Sequence, residues 1–218
     1  MLYTLRDAQS IRRMLYFLPM NKTFGDYRVF VGAFPAGELA ERIQAVRLQH
    51  DAKTARTPAL RAGASVTAPH VTMASTYWRS GPATPDNEAE TIARLQATQG
   101  RLKPFELVLG GVESFLPHVL VIYLRVEPTD GLLAARRVLL EALGADKDRH
   151  YTPHLTLTMR LDEKRTRTLF QELRRTEWHT GRWMVPLDHL WLMQRGPDDP
   201  AWRYIYPIGT KGSSVSYS

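Results

Sequence analysis

No cysteine occurs among the 218 residues of the chain. Its absence removes disulfides, thiolate metal ligands and cysteine nucleophiles together, and it fits a reducing compartment, with the cytoplasm as the default. Long apolar runs are also missing. The longest candidate, Met14 to Met20, falls well short of the ~20 residues of a membrane-spanning helix, so no membrane partner is expected. Arg6, Arg12 and Arg13 before it faintly resemble the start of an export signal, but Pro19, Asn21 and Lys22 follow where a small-residue cleavage site belongs. Nor is there a single basic tract. The formal charge of +7 is spread along the chain, which favours a small phosphate-bearing ligand or a short RNA over tight duplex binding.

What is present is ample apolar material, 44% of residues, enough for the core of a single large domain. Residues 1–25 show no clean period and read as an N-terminal extension. Residues 26–208 read as one α+β domain of two lobes, about 26–112 and 113–208, followed by a flexible tail over 209–218. The β-branched and aromatic run Tyr27 to Phe34 predicts a strand ended by Pro35, and Leu39, Ile43 and Val46 then share one helical face. Ala52 to Gly63 reads as an exposed loop. A helix bearing Ile92, Leu95 and Leu102, capped by Asp86 or Asn87, precedes strand Phe105 to Leu109. Gly110-Gly111 interrupts that strand near the lobe boundary and leaves Glu113, Ser114 and Phe115 in a loop. The second half repeats the order: strand Val119 to Val126, a helix capped by Asp130 and ended by Gly144, then another strand. A helix after Asp162 and strands near Trp183 to Met193 and Trp202 to Ile208 complete the chain, the last pair joined by a turn at Gly196 to Pro200. Trp202, Tyr204 and Tyr206 would then share one face.

Within this repeated order one pattern occurs twice. Pro69-His70-Val71-Thr72-Met73 is echoed by Pro153-His154-Leu155-Thr156-Leu157. On a strand, a His and the Thr two positions on point the same way, roughly 7 Å apart, while Val71, Met73, Leu155 and Leu157 take the buried side. As a structural duplication, the two strands would meet near a pseudo-two-fold axis and bring His70, Thr72, His154 and Thr156 into one cleft. A neutral imidazole can take a proton from an attacking water while a protonated one gives a proton to a leaving oxygen. The threonine hydroxyls would donate to non-bridging phosphate oxygens, so phosphodiester hydrolysis is expected without a metal or other cofactor. His150 precedes His154 by four residues, roughly 13 Å on a strand, too far for one zinc ion. His50, His118, His179 and His189 have no repeated context. Regular alternation would extend the two site faces to Trp78 and Arg160, and Phe115 and Tyr151 are further candidates for contact with a base.

These residues resemble the 2H phosphoesterase superfamily, which includes bacterial 2'-5' RNA ligase-like proteins and RNA 2',3'-cyclic phosphodiesterases. The resemblance runs from about Tyr27 to Ile208 and rests on Arg28 to Pro35, the two Pro-His-x-Thr stretches, and Phe105 to Gly111 with Phe115 after it. It implies a bilobal α+β fold with two antiparallel sheets around a central cleft and helices outside. It also implies metal-independent opening of 2',3'-cyclic phosphates at RNA ends or in small cyclic nucleotides to 2'-phosphates, with His70 as acid and His154 as base, in a monomer. The alternatives are cleavage of 2'-5'-linked or signalling oligonucleotides, 2'-5' RNA ligation, and a non-catalytic RNA-binding module. The first motif continues Ala74 to Trp78 in place of the more aliphatic run usual in the ligase-like branch, and Arg160 falls slightly later than that branch's basic residue.

Overall fold

The computed structural model describes residues 27–51, 68–78, 84–145, 150–159, 161–187, 189–196 and 202–209. The extension over 1–25, the loop Ala52 to Gly63, Arg160, most of the turn after Gly196 and the tail from Thr210 lie outside the described residues. In chain order the elements are β1 (Tyr27–Ala33), α1 (Gly37–Asp51), β2 (Val71–Trp78), α2 (Thr84–Thr98) with a 3-10 turn (Gln99–Arg101), β3 (Phe105–Ser114) and β4 (Val121–Val126). They continue with α3 (Asp130–Leu143), β5 (His154–Met159), α4 (Glu163–Leu173), α5 (Glu177–Thr180), β6 (Arg182–Leu187), β7 (His189–Arg195) and β8 (Arg203–Gly209). Local chemistry sets several ends. The Thr129 hydroxyl, not Asp130, caps α3 by accepting from the Leu132 amide, and Gly144 closes it in the left-handed region at φ 61°. Asp162 caps α4 as expected, accepting from the Arg165 amide at 2.8 Å.

In place of two sheets there is one, eight-stranded and antiparallel in every pairing, in the order β6-β3-β4-β5-β2-β1-β7-β8. At its centre β2 and β5, the two His strands, are joined through a single register pair, Val71 opposite Leu155. The sheet also cannot be flat. Six inter-strand spacings separate β6 from β7, roughly 29 Å in a flat sheet, yet Leu187 and His189 are two residues apart, within roughly 7.6 Å. The sheet must curl until those strand ends meet. Because β7 and β8 return to pair on β1 while β3 pairs with β4 and β6, a cut at residue 112 does not separate the two halves of the sheet.

The helices exchange places across the seam. α1 follows β1 but packs on β5; α3 follows β4 but packs on β2. One continuous core joins Ile43 of α1, Leu132 and Leu139 of α3 and Leu169 of α4 to Val71, Met73, Leu155 and Leu157, all buried. Phe30, Val108, Tyr123 and Met193 are also buried but stand apart from that core. The register explains why, since they occupy the opposite face of the sheet.

Candidate active site

Alternation about the buried pair Val71 and Leu155 sends the side chains of His70, Thr72, His154 and Thr156 to the face away from the helix-packed core. Continuing the antiparallel register by one residue either way sets Thr72 opposite His154 and His70 opposite Thr156. The two histidines then lie on a diagonal, with about 7–8 Å between backbone positions. His154 is among the charges that act on His70, an independent sign that the rings are neighbours. All four side chains are half-buried.

Both imidazoles are held the same way. His70 Nδ1 lies 3.0 Å from the Ala68 carbonyl and His154 Nδ1 lies 2.8 Å from the Thr152 carbonyl, each two residues upstream. A carbonyl only accepts, so each Nδ1 carries the hydrogen and each Nε2 is left for chemistry. Burial pushes the His70 imidazole down from 6.5 to about 4; the Ala68 carbonyl opposes this, and the charges of Arg47 and His154 add to it. Burial lowers His154 too, against the pull of the Thr152 carbonyl. Both rings are therefore neutral at pH 7 in the free protein.

Aromatic side chains fix the rings laterally. His70 stacks on Phe30 at 4.7 Å and meets Phe34 at 5.4 Å. His154 meets the edges of Phe115 at 5.1 Å and Tyr123 at 5.3 Å, and those two rings stack on each other at 4.3 Å. The halves differ at one register position. Tyr123 lies opposite Thr156, but Gly32 lies opposite Thr72. A Cβ on Gly32 would sit 2.7 Å from the Phe34 ring and 2.8 Å from the Phe30 ring. Gly32→Ala is expected to push both rings off His70 and lower kcat roughly 10-fold or more, as small misplacements in a site do, with the melting temperature nearly unchanged. A variant with wild-type turnover would show that the stacking does not position His70.

Bulges break the regular alternation assumed beyond each motif. Gly32 pairs with Thr72 and Val31 with Ala74, leaving Met73 as an extra residue in β2; Tyr123 pairs with Thr156 and Ile122 with Thr158, leaving Leu157 extra in β5. Thr158 thereby turns into the core and is fully buried. Trp78 ends β2, its backbone in register with Tyr27. A third bulge, at Ile205, parts Tyr204 from Tyr206. Tyr204 stays on the histidine face beside Phe34 and Trp191, whereas Tyr206 packs on the core and accepts from Gln99.

Tyr151 is committed elsewhere: its hydroxyl donates to the Thr72 carbonyl at 3.0 Å and its ring carries the Arg136 guanidinium at 3.8 Å. Arg136 in turn donates to the carbonyl of the bulged Met73. Burial raises the Tyr151 phenol to about 12, with Arg136 pulling it down, so Tyr151 braces β2 as a neutral phenol. Phe115 does flank His154. Phe30, Phe34 and Tyr123 escaped the sequence reading because aromatics on strands look like core. So did Arg125, exposed and directly opposite His154 in β4. Gly110-Gly111 does not end β3, which runs to Ser114 through a bulge with Gly111 at φ 76°. Among the described residues no three His, Asp or Glu side chains converge in a way that could hold a metal ion, and no helix is long and apolar enough to cross a membrane.

The same architecture has been seen before. Escherichia coli LigT complexed with 3'-AMP superposes with a TM-score of 0.56 at 19% identity, covering 85% of this chain and 99% of that one. The Thermus thermophilus protein TT0787 does so at 0.52 and 17%, covering 85% and 99%. In sequence, a Bacillus cytotoxicus protein named "Putative phosphoesterase" is 25% identical over 148 residues, 67% of this chain and 77% of that protein. A Bacillus cereus protein of the same designation is 25% identical over 162 residues, 73% of this chain and 84% of its own length. The sequence model of the 2'-5' RNA ligase superfamily matches residues 35–199, a span that holds both His-x-Thr motifs, and the chain therefore belongs to that superfamily, the 2H phosphoesterases.

Proposed function

We propose that the chain is a phosphodiesterase that opens 2',3'-cyclic phosphates, at RNA ends or in small cyclic nucleotides, to 2'-phosphates. The observation that carries this reading is the matched tethering of His70 and His154, each with Nδ1–H spent on its own backbone carbonyl and Nε2 left free. One ring can then act as base while its counterpart acts as acid. His154 Nε2 takes a proton from water as the water oxygen bonds to phosphorus; the bond from phosphorus to the 3'-oxygen breaks, and that oxygen leaves with the proton of His70 Nε2. The Thr72 and Thr156 hydroxyls donate to the non-bridging oxygens, where charge grows in the transition state. A binding module would have no need of two neutral imidazoles in matched tautomers. The solved LigT complexes with 3'-AMP and with phosphate support a nucleotide phosphate as the ligand class.

Both rings being neutral at pH 7 sets a pH dependence. Acid catalysis needs His70 protonated and is lost as pH rises through its pKa; base catalysis needs His154 neutral and is lost as pH falls through its own. With His70 near 4 and His154 lowered from 6.5, kcat/KM is expected to peak on the acid side of neutrality and to fall tenfold per pH unit on the alkaline limb. Bound phosphate, being anionic, raises the imidazole pKa, so the kcat profile should extend to higher pH. Rate profiles from pH 4 to 9 check this, and a kcat/KM optimum above pH 8 would contradict it. The reaction itself is tested by offering 2',3'-cyclic nucleotides, RNA ending in cyclic phosphate and 2'-5'-linked oligonucleotides in the presence of EDTA. Opening of the cyclic phosphates is the expected result; turnover of the 2'-5'-linked substrates alone would assign the site to those linkages instead.

A further inference from the structure

Arg125 is an exposed cation on the histidine face. It lies opposite His154 in register, and in an antiparallel pair opposed residues share a face. Among the described residues no hydrogen bond or ion pair engages its guanidinium. The nearest carboxylate on its strand face is Glu127, two residues on, and that group is taken by Arg182 through contacts at 3.0 and 3.2 Å. Glu113, opposite Tyr123 on β3, and Glu106, two residues before Val108 on the same strand, are further acids on this face.

The backbone beside Arg125 is shaped for it. β3 places two residues, Gly110 and Gly111, against this one residue of β4: Leu109 pairs with Val126 and Val112 with Leu124. Such a bulge bends its strand and re-aims neighbouring side chains. Arg125 Nη2 lies 4.0 Å from where a Cβ on Gly111 would be, so the guanidinium extends over the bulge, away from the seam. A phosphate held between the two Nε2 atoms is thus not the group Arg125 is aimed at.

We propose that Arg125 and the bulge beneath it form a second phosphate subsite, which takes the phosphate on the 5'-oxygen of the nucleotide whose 2',3'-phosphate lies between the histidines. The proposal rests on the phosphodiesterase reading above and deepens it: the substrate class becomes an RNA end, whose terminal nucleotide carries that 5'-linked phosphate, in preference to a cyclic mononucleotide that lacks it.

Calorimetric titration of the full chain with adenosine 2'-phosphate and with adenosine 2',5'-bisphosphate, repeated with the uridine pair, tests it. In the wild type the 5'-phosphate should tighten binding roughly 5- to 20-fold, the range of an exposed charge-assisted contact. Arg125→Gln should erase that gain and leave the 2'-phosphates unaffected; Arg125→Lys should keep part of it. The salt dependence of bisphosphate binding should lose about one unit of slope in the glutamine variant. Equal affinities for mono- and bisphosphate in the wild type would overturn the subsite. So would an Arg125→Gln variant that weakens both ligands equally, because the guanidinium would then serve the scissile phosphate. Failure of adenosine and uridine 2'-phosphates to bind the wild type at all would strike the phosphodiesterase reading itself, a distinct outcome.

Discussion

His70→Ala and His154→Ala should each lower kcat/KM for a 2',3'-cyclic nucleotide by roughly two to four orders of magnitude, the usual weight of a positioned general acid or base. Each ring is half-buried and hydrogen-bonds only a carbonyl that sits next to it in the chain. Its loss therefore breaks no hydrogen bond between distant elements, only the ring contacts with Phe30 and Phe34 or with Phe115 and Tyr123, and the fold should persist. The double variant should be scarcely worse than either single one, because acid and base act in the same transition state and removing one already forfeits the concerted proton transfers. Asymmetry should appear in the pH profiles. If His70 is the acid, His70→Ala loses the alkaline limb; if His154 is the base, His154→Ala loses the acid limb. Turnover in either variant within threefold of wild type would end the paired acid–base mechanism.

Leu155→Ala should have the largest effect on stability. Leu155 is fully buried, lies between His154 and Thr156, and forms with Val71 the register pair that joins the two halves of the sheet. Truncating a buried leucine costs about 2–5 kcal/mol through lost transfer energy and the cavity left behind. For a chain of this size that lowers the melting temperature by roughly 5–15 °C. Activity should fall further than the unfolded fraction explains, because loosening this pair lets the histidines part. Leu155→Met, close in volume, should restore most of both. Thermal melts beside kcat/KM at a temperature where both variants are folded separate the two effects. A destabilised Leu155→Ala enzyme with undiminished kcat/KM would show that the seam supports stability alone.

The motif pair and most elements were legible because they follow from short-range periodicity. His70 and Thr72 share a face by simple alternation, and Val71 and Leu155 are buried as their type demands. The bulges at Met73, Leu157 and Ile205 were not legible, since an extra apolar residue in a strand leaves no mark in composition while it flips everything after it. That is why Thr158 does not continue the face of Thr156, and Tyr206 leaves the face that Trp202 and Tyr204 share. Gly110-Gly111 was visible as a break, but a bulge within a strand and a loop between strands both call for glycine. The return of β7 and β8 to β1 was hidden for another reason: it depends on pairing between segments more than a hundred residues apart, which no local pattern encodes. Arg125 looked like any wet strand residue until the register set it beside His154.

The exchange of α1 and α3 across the seam bears on how the chain folds. Each half of the sheet has its central strand covered by a helix that belongs, in sequence, to the other half. A partly folded chain with one half formed therefore leaves Val71 or Leu155 at the seam without the helix that covers it. The exchange ties the two halves into one cooperative unit at the seam, dominated by contacts distant in sequence and slow to form for that reason. The chain resembles, in that respect, two protomers that have traded helices and then been joined end to end.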